Sequence, residues 1–169
     1  MFKKYVLVVD DDILFLKSIK RAFKFKDFET LTALSGKNAM AICNNYDISV
    51  VISDYKMPDM DGLVFLKKIR MMNPHIILIM ITAFQDINVA CAAINEIGIF
   101  KFILKPIDYD ILEKIVDRAI EFFDGNLLDD KNYYSNNAKD VVMNDLESKF
   151  PGITVTPPKD KDGYILLDV

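Results

Sequence analysis

Apolar residues along this chain come in two rhythms. Short runs dense in β-branched and aliphatic residues stand at "YVLVV" (5–9), "ISVVIS" (48–53), "IILIMI" (76–81) and "FKFIL" (100–104), each of strand length, and "ETLTAL" (29–34) is a weaker, alternating run. Between them, apolar residues return every three or four positions. Phe15, Ile19, Ala22 and Phe23 form one such stripe; Ala39, Met40 and Cys43 form a second, opened by Ser35-Gly36. Leu63, Leu66, Ile69 and Met72 form a third, which Asn73-Pro74 stops because proline disfavours helical dihedrals in the residue before it. An alanine-rich stretch from Ile87 to Ile97 ends at Gly98, a usual helix terminator, and a last helix from about Asp108 sets Ile111, Ile115, Ala119 and Phe122 on its inner face.

The pattern therefore predicts five strands alternating with five helices. Strands apolar on both faces belong in a parallel sheet covered by helices on each side, and right-handed crossovers leave few windings open. The expected fold is α/β, a five-stranded parallel sheet, doubly wound. Past Phe123 the rhythm stops: "DGNLLDDKNYYSNNAKD" is polar and aperiodic, "VVMNDLESKF" suits a short helix, and "GITVT" with "GYILLDV" suits a hairpin. The expected division is a domain over 1–123, a linker over 124–139 and a small extension over 140–169.

Composition narrows the function. The chain is 51% hydrophobic and 27% charged, too apolar for disorder, yet no run approaches the roughly 20 apolar residues a membrane helix needs. Three aspartates interrupt the basic, apolar amino terminus before a signal-peptide core can form. Cys43 and Cys91 sit in helix-like apolar surroundings and read as two buried thiols in a reducing cytosol. A net charge of −4 supplies no overall attraction to phosphate backbones or anionic lipids, so neither direct nucleic-acid binding nor membrane binding is expected. The only histidine, His75, reads as a loop residue at the far end of its strand.

Chemistry gathers at the other end. Ligand sites in open parallel sheets lie at the carboxyl ends of the strands. Here the first strand ends in Asp10, Asp11 and Asp12, the third in Asp54, the fourth in Thr82 and the fifth in Lys105. Carboxylates that close repel unless a cation sits between them, and oxygen donors without His or Cys favour Mg²⁺. A metal, an ammonium and a hydroxyl together suit a phosphoryl group, and Asp54, at the tip of a rigid strand, is the natural nucleophile. Asp61-Gly62 reads as a turn and helix cap.

"VLVVDDD", "VISDYKMPDMDG", "ITA" and "FILKP", in this order over residues 3–123, closely resemble the receiver domain of bacterial two-component response regulators. The resemblance implies the flavodoxin-like strand order 2-1-3-4-5 and a phosphoryl group accepted on Asp54 from a histidine kinase or phosphotransfer protein. It implies that Asp11 and Asp54 bind Mg²⁺ directly, Asp10 acts through water, and the main-chain carbonyl of Lys56 adds a ligand. Thr82, Ala83 and Lys105 would surround the phosphoryl group. Thr82 and Phe102 would form the switch, although plain core packing explains an aromatic at 102 equally well. Lys56 and Phe84, each two residues past a site residue, would tune the lifetime of the phosphorylated form. Leu14, left outward when Phe15 and Ile19 face the core, matches the surface on which receivers dock a phosphodonor.

The enzymatic alternative is an aspartyl-phosphate-forming phosphatase of haloacid-dehalogenase-like type. Its Asp-x-Asp-x-Thr or Val signature is met in Asp10 and Asp12 but fails at Leu14. Flavin or nucleotide binding on the same fold lacks a Gly-rich phosphate loop. From residue 125 onward there are five Lys against eight Asp or Glu, so the tail is acidic and short for a helix-turn-helix output; a protein partner or self-association is the expected output.

Overall fold

The computed structural model describes residues 3–82 and 97–128. The expected helix over 87–97, apart from Ile97, the positions Ala83, Phe84 and Cys91, and the expected linker past 128 and extension over 140–169 lie outside the described residues. Five parallel strands, β1 (Tyr5–Val9), β2 (Glu29–Ala33), β3 (Ile48–Asp54), β4 (Ile77–Thr82) and β5 (Lys101–Leu104), lie in the order β2-β1-β3-β4-β5. Four described α-helices flank them: α1 (Ile13–Ala22), which a short 3-10 turn at Phe23–Phe25 follows, α2 (Gly36–Cys43), α3 (Gly62–Met72) and α4 (Tyr109–Leu128).

Every residue of β3 and β4 is buried, which is why both read as unbroken apolar runs. Alternate residues serve opposite faces. Leu7, Val9, Val51 and Leu78 join Ala39 of α2 and Phe65, Leu66 and Ile69 of α3 in one cluster. Val6, Val8, Val50, Ile52, Ile79 and Ile81 join Leu16 and Ile19 of α1 and Leu112, Val116 and Ala119 of α4 in the other. β2, at the edge, buries only Ala33, in keeping with its mixed composition.

The helix faces differ in part from the expected stripes. α1 buries Leu16 and Ile19, with Phe15 and Ala22 only partly covered. α4 buries Leu112, Val116 and Ala119, whereas Ile111 is 55% exposed, and Met72 at the end of α3 is also exposed. The reason is shared: apolar residues occur side by side in sequence, as in Ile111-Leu112 and Ile115-Val116, so two stripes about 100° apart compete and only docking on the sheet selects one. α4 also runs to Leu128, past the polar change at 123, and an ion pair between Lys4 and Asp124 ties this continuation to the lead-in of β1. His75 is exposed in a loop, its N–H accepted by the Asn73 side chain at 2.9 Å. Cys43 is half-buried, and burial pushes its thiol up to about 11.

The helices start on polar caps. Asp12 accepts the N–H groups of Leu14 and Phe15, Ser35 that of Asn38, Asp61 that of Leu63, and Asp108 those of Asp110 and Ile111. At the amino end of the sheet, Arg70 of α3 does a different job. Its Nε donates to Ile97 O, Nη1 to Ile76 O and Pro74 O, and Nη2 to Gly98 O. Gly98, at φ +68°, holds the left-handed backbone just before β5 that favours glycine. One planar fork thus joins α3, the entry to β4 and the approach to β5. Arg70→Ala is expected to destabilise the protein by about 3 kcal/mol in urea unfolding, because it strands main-chain carbonyls. Arg70→Lys should recover only part of that, since an ammonium cannot reproduce the fork.

Candidate functional site

The strand register delivers the site residues level with one another. Val9 pairs with Ala33 and Ser53, Asp54 with Ile81, and Thr82 with Leu104. Main-chain bonds then continue just beyond the strands: Asp10 N–H donates to Ala33 O (3.2 Å), Tyr55 N–H to Ile81 O (2.9 Å) and Lys105 N–H to Thr82 O (2.9 Å). The backbone that carries each group is therefore held by its neighbour.

Asp10 is fully buried, Asp54 is 7% exposed and Thr82 is buried, all at the rim of an otherwise apolar sheet. Lys105 Nζ lies 3.1 Å from Asp10 Oδ2 and 3.2 Å from Asp54 Oδ1, bridging the two. The other Asp10 oxygen accepts the Asp12 N–H at 2.8 Å. Burial holds the Asp54 carboxyl above its ordinary range; Lys105 opposes that effect, while the nearby charge of Asp10 adds to it. For Lys105, burial pulls the ammonium down but the two carboxylates outweigh it, so its pKa is raised. The ring of Phe15 also lies under this ammonium, 5.5 Å from its centroid.

Asp10, Asp11 and Asp54 each offer an oxygen within 4.8 Å of the others. Two are buried and Asp11 is exposed, so the donors are all oxygen and one side opens to water. That set fits a hard divalent cation, which keeps part of its hydration. Asp12 does not join the cluster; its carboxylate caps α1.

α3 closes the site from below. Gly62 N–H donates to Tyr55 O at 2.7 Å, and a Cβ at Gly62 would stand 2.0 Å from the Asp54 carbonyl oxygen. Glycine is required here by close approach, since any side chain would displace the backbone that carries Asp54.

Of the remaining residues predicted from sequence, Lys56 is exposed on the loop after β3, and Leu14 is 70% exposed in the first turn of α1, beside the acidic rim. Phe102 is 5% exposed and belongs to the core cluster that includes Met80 and Ile97, so its ring already faces inward. Three further residues take part. Phe15, expected in the core, lies under the Lys105 ammonium; Gly62, expected as part of a turn and helix cap, also admits the close approach of α3; and Asp59, which reaches α2, carries no local sequence signal.

This fold and rim define a doubly wound α/β protein with an acidic, lysine-bridged site at the strand ends. The response regulator receiver domain model matches residues 6–117. Among curated proteins, the chain is 34% identical over 117 residues to the transcriptional regulatory protein GlrR of Escherichia coli, covering 69% of this chain and 26% of that protein. It is 36% identical over 116 residues to the hydrogenase transcriptional regulatory protein HoxA of Cupriavidus necator, covering 69% and 24%. The chain thus spans about a quarter of the length of these relatives. Among solved structures, it resembles a response regulator receiver domain protein from Clostridium thermocellum, with TM-score 0.65 and 33% identity over 71% of this chain and 95% of that one. A CheY-like receiver domain protein from Methanospirillum hungatei matches with TM-score 0.67 and 28% identity over 74% of this chain and all of that one (100%).

The chain belongs to the response regulator receiver domain family. The phosphatase alternative falls with that finding. Its physical weakness is visible too: Asp12, the second aspartate of the phosphatase signature, is committed to the helix cap. Among the described residues, no helix is long and apolar enough to cross a membrane.

The raised pKa of Asp54 carries a sign. A carboxyl that binds its proton more tightly when folded favours the native state most below its unfolded pKa, and that advantage is lost as pH rises through the folded value. In Mg²⁺-free solution, Asp54→Asn should therefore be more stable than the wild type at pH 7. Its advantage should vanish below the ordinary aspartate pKa of about 3.9, as measured by urea unfolding across that range.

Proposed function

We propose that the protein is a two-component signalling phosphoacceptor in which Asp54 receives a phosphoryl group from a histidine kinase or phosphotransfer protein. An Asp54 oxygen forms the new P–O bond as the P–N bond of the donor phosphohistidine breaks, and the bonding pair leaves on the imidazole. The observation that carries this reading is the double bridge of Lys105, 3.1 Å from Asp10 and 3.2 Å from Asp54. It holds an ammonium where charge would build on a phosphoryl oxygen, without preventing Asp54 from acting as nucleophile.

Asp10, Asp11 and Asp54, with the Lys56 carbonyl, would hold Mg²⁺; when bound, the ion offsets the negative charge of carboxylates and phosphoryl oxygens. Thr82 and the main chain at Ala83 receive the remaining phosphoryl oxygens. Thr82 then draws towards the phosphate, and the Phe102 side of β5 responds, a local charge change biasing a two-state element. Phe102 has no hydroxyl, so partners read its packing rather than a hydrogen bond. Leu14 serves phosphodonor docking.

The chain catalyses only its own phosphorylation and its own slow dephosphorylation, and it acts in the reducing cytosol. Its output passes through a protein partner or self-association, without nucleic-acid binding by this chain. The transcriptional roles in its relatives' names belong to proteins of which this chain matches only about a quarter.

Acetyl phosphate with Mg²⁺ is expected to label the wild type and leave Asp54→Ala unlabelled in intact-protein mass spectrometry. Lys105→Ala should slow labelling about a hundredfold. Equal labelling of Asp54→Ala would end this reading. A second expectation concerns persistence: Phe84 comes two residues after Thr82 in sequence, and if an aromatic there slows attack by water, Phe84→Ala should shorten the lifetime of the acyl phosphate in a chase after donor removal.

A further inference from the structure

The loop between β3 and α3 is pinned at alternate residues. Tyr55 is tied through its main chain to Ile81 and Gly62, Met57 is buried, and Asp61 caps α3, while Lys56 and Pro58 are exposed between them. Asp59 is pinned differently, for it reaches out of its own loop. Its Oδ2 accepts the Lys37 N–H at 3.0 Å and its Oδ1 the Gly36 N–H at 3.2 Å, across separations of 22 and 23 residues.

A helix of eight residues such as α2 leaves its first N–H groups without internal partners. Here Gly36, Lys37 and Asn38 each have one: Asn38 N–H goes to Ser35 Oγ and the other two go to Asp59, while Ala39 N–H begins the helical ladder at Ser35 O. The positive end of the helix dipole favours the charged carboxylate there. The Lys37 N–H, with that of Gly36 behind it, holds the Asp59 carboxyl below its ordinary range. A second contact joins the same two segments: a Cβ added to Gly36 would lie 3.2 Å from Met60 Cβ. Loop and helix start are in close contact through one polar and one apolar pair.

Only Met57 and Pro58 separate Asp59 from Lys56, and proline fixes its own φ, so a displacement at Asp59 is poorly absorbed before it reaches the metal loop. Resting on the reading of Asp54 as a Mg²⁺-dependent phosphoacceptor, we infer that Asp59 is a positioning residue. By tying residues 55–61 to the first turn of α2, it fixes the backbone at Lys56 and couples Mg²⁺ occupancy to the order of the α2 amino terminus. Coupling of this kind is reciprocal: if the tie favours the ion, the ion must favour the tie.

The test uses the full chain and three variants: Asp59→Ala, Asp59→Asn and Ser35→Ala. Ser35→Ala removes a cap from the same helix without touching the loop. Mg²⁺ affinity is read from amide NMR shifts of Tyr55 and Lys56, and amide exchange at Lys37 is read with and without the ion. Asp59→Ala and Ser35→Ala should both lower the melting temperature, as lost caps do. Only Asp59→Ala should weaken Mg²⁺ binding, by about tenfold, as loss of a supporting contact does. Asp59→Asn keeps one acceptor oxygen and should fall between, and it carries the test if Asp59→Ala does not fold. In the wild type, Mg²⁺ should slow exchange at Lys37; in the Asp59 variants that slowing should shrink or disappear. Equal Mg²⁺ affinity in the Asp59 variants and Ser35→Ala, with wild-type binding intact, would overturn the inference alone. A wild type that binds no Mg²⁺ would overturn the underlying reading of the site as well.

Discussion

Asp10 and Asp54 stand buried at the rim of a sheet whose two central strands are otherwise almost wholly apolar, and the ammonium of Lys105 spans them. Two carboxylates cannot remain charged at such a place without a compensating cation. The lysine supplies one positive charge for two negative ones, and the pKa of Asp54 stays raised despite it. Asp10, Asp11 and Asp54 gather their oxygens at this rim in a set that suits a divalent cation, and Asp54 stands within it. The rest of the molecule can be understood as what keeps this imbalance in place.

The sheet does so through register. Asp54 pairs with Ile81 and Thr82 with Leu104, and main-chain bonds carry the alignment beyond the strand ends to Asp10, Tyr55 and Lys105. A slip of one residue would turn every side chain to the opposite face, so the same apolar burial that stabilises the sheet also sets the geometry of the charges. At the opposite end, Arg70 binds α3 to the entries of β4 and β5. Beneath the site, Gly62 lets α3 approach the Asp54 carbonyl, and Asp59 links the following loop to α2. The acidic site is thus held by backbone on several sides while Asp11 remains exposed.

The elements were legible because burial leaves a periodic trace. The runs 5–9, 48–53 and 76–81 fall within a residue of β1, β3 and β4, and Ser35, Asp61 and Asp108 mark helix starts by their own hydrogen bonds. The helix faces were less legible. Ile111 and Leu112 are chemically near-equivalent, and only contact with the sheet decides that Leu112 is buried. Asp12 illustrates the same limit in polar form. Three adjacent aspartates look alike in sequence, yet the turn into α1 sends Asp10 and Asp11 to the cluster and Asp12 to the cap.

By itself, then, the order of residues determined the alternation of strand and helix, and which chemical groups end each strand, since hydrophobic period and chain direction are properties of contiguous residues. Contacts between segments far apart in sequence were decided only by the tertiary structure: the bridge of Lys105, the fork of Arg70, the Phe15 ring beneath an ammonium, and the reach of Asp59 to α2. The physical reason is that a charged or aromatic side chain has no local period to betray its partner. Its energy depends on which distant dipole or charge the folded backbone brings within a few ångströms.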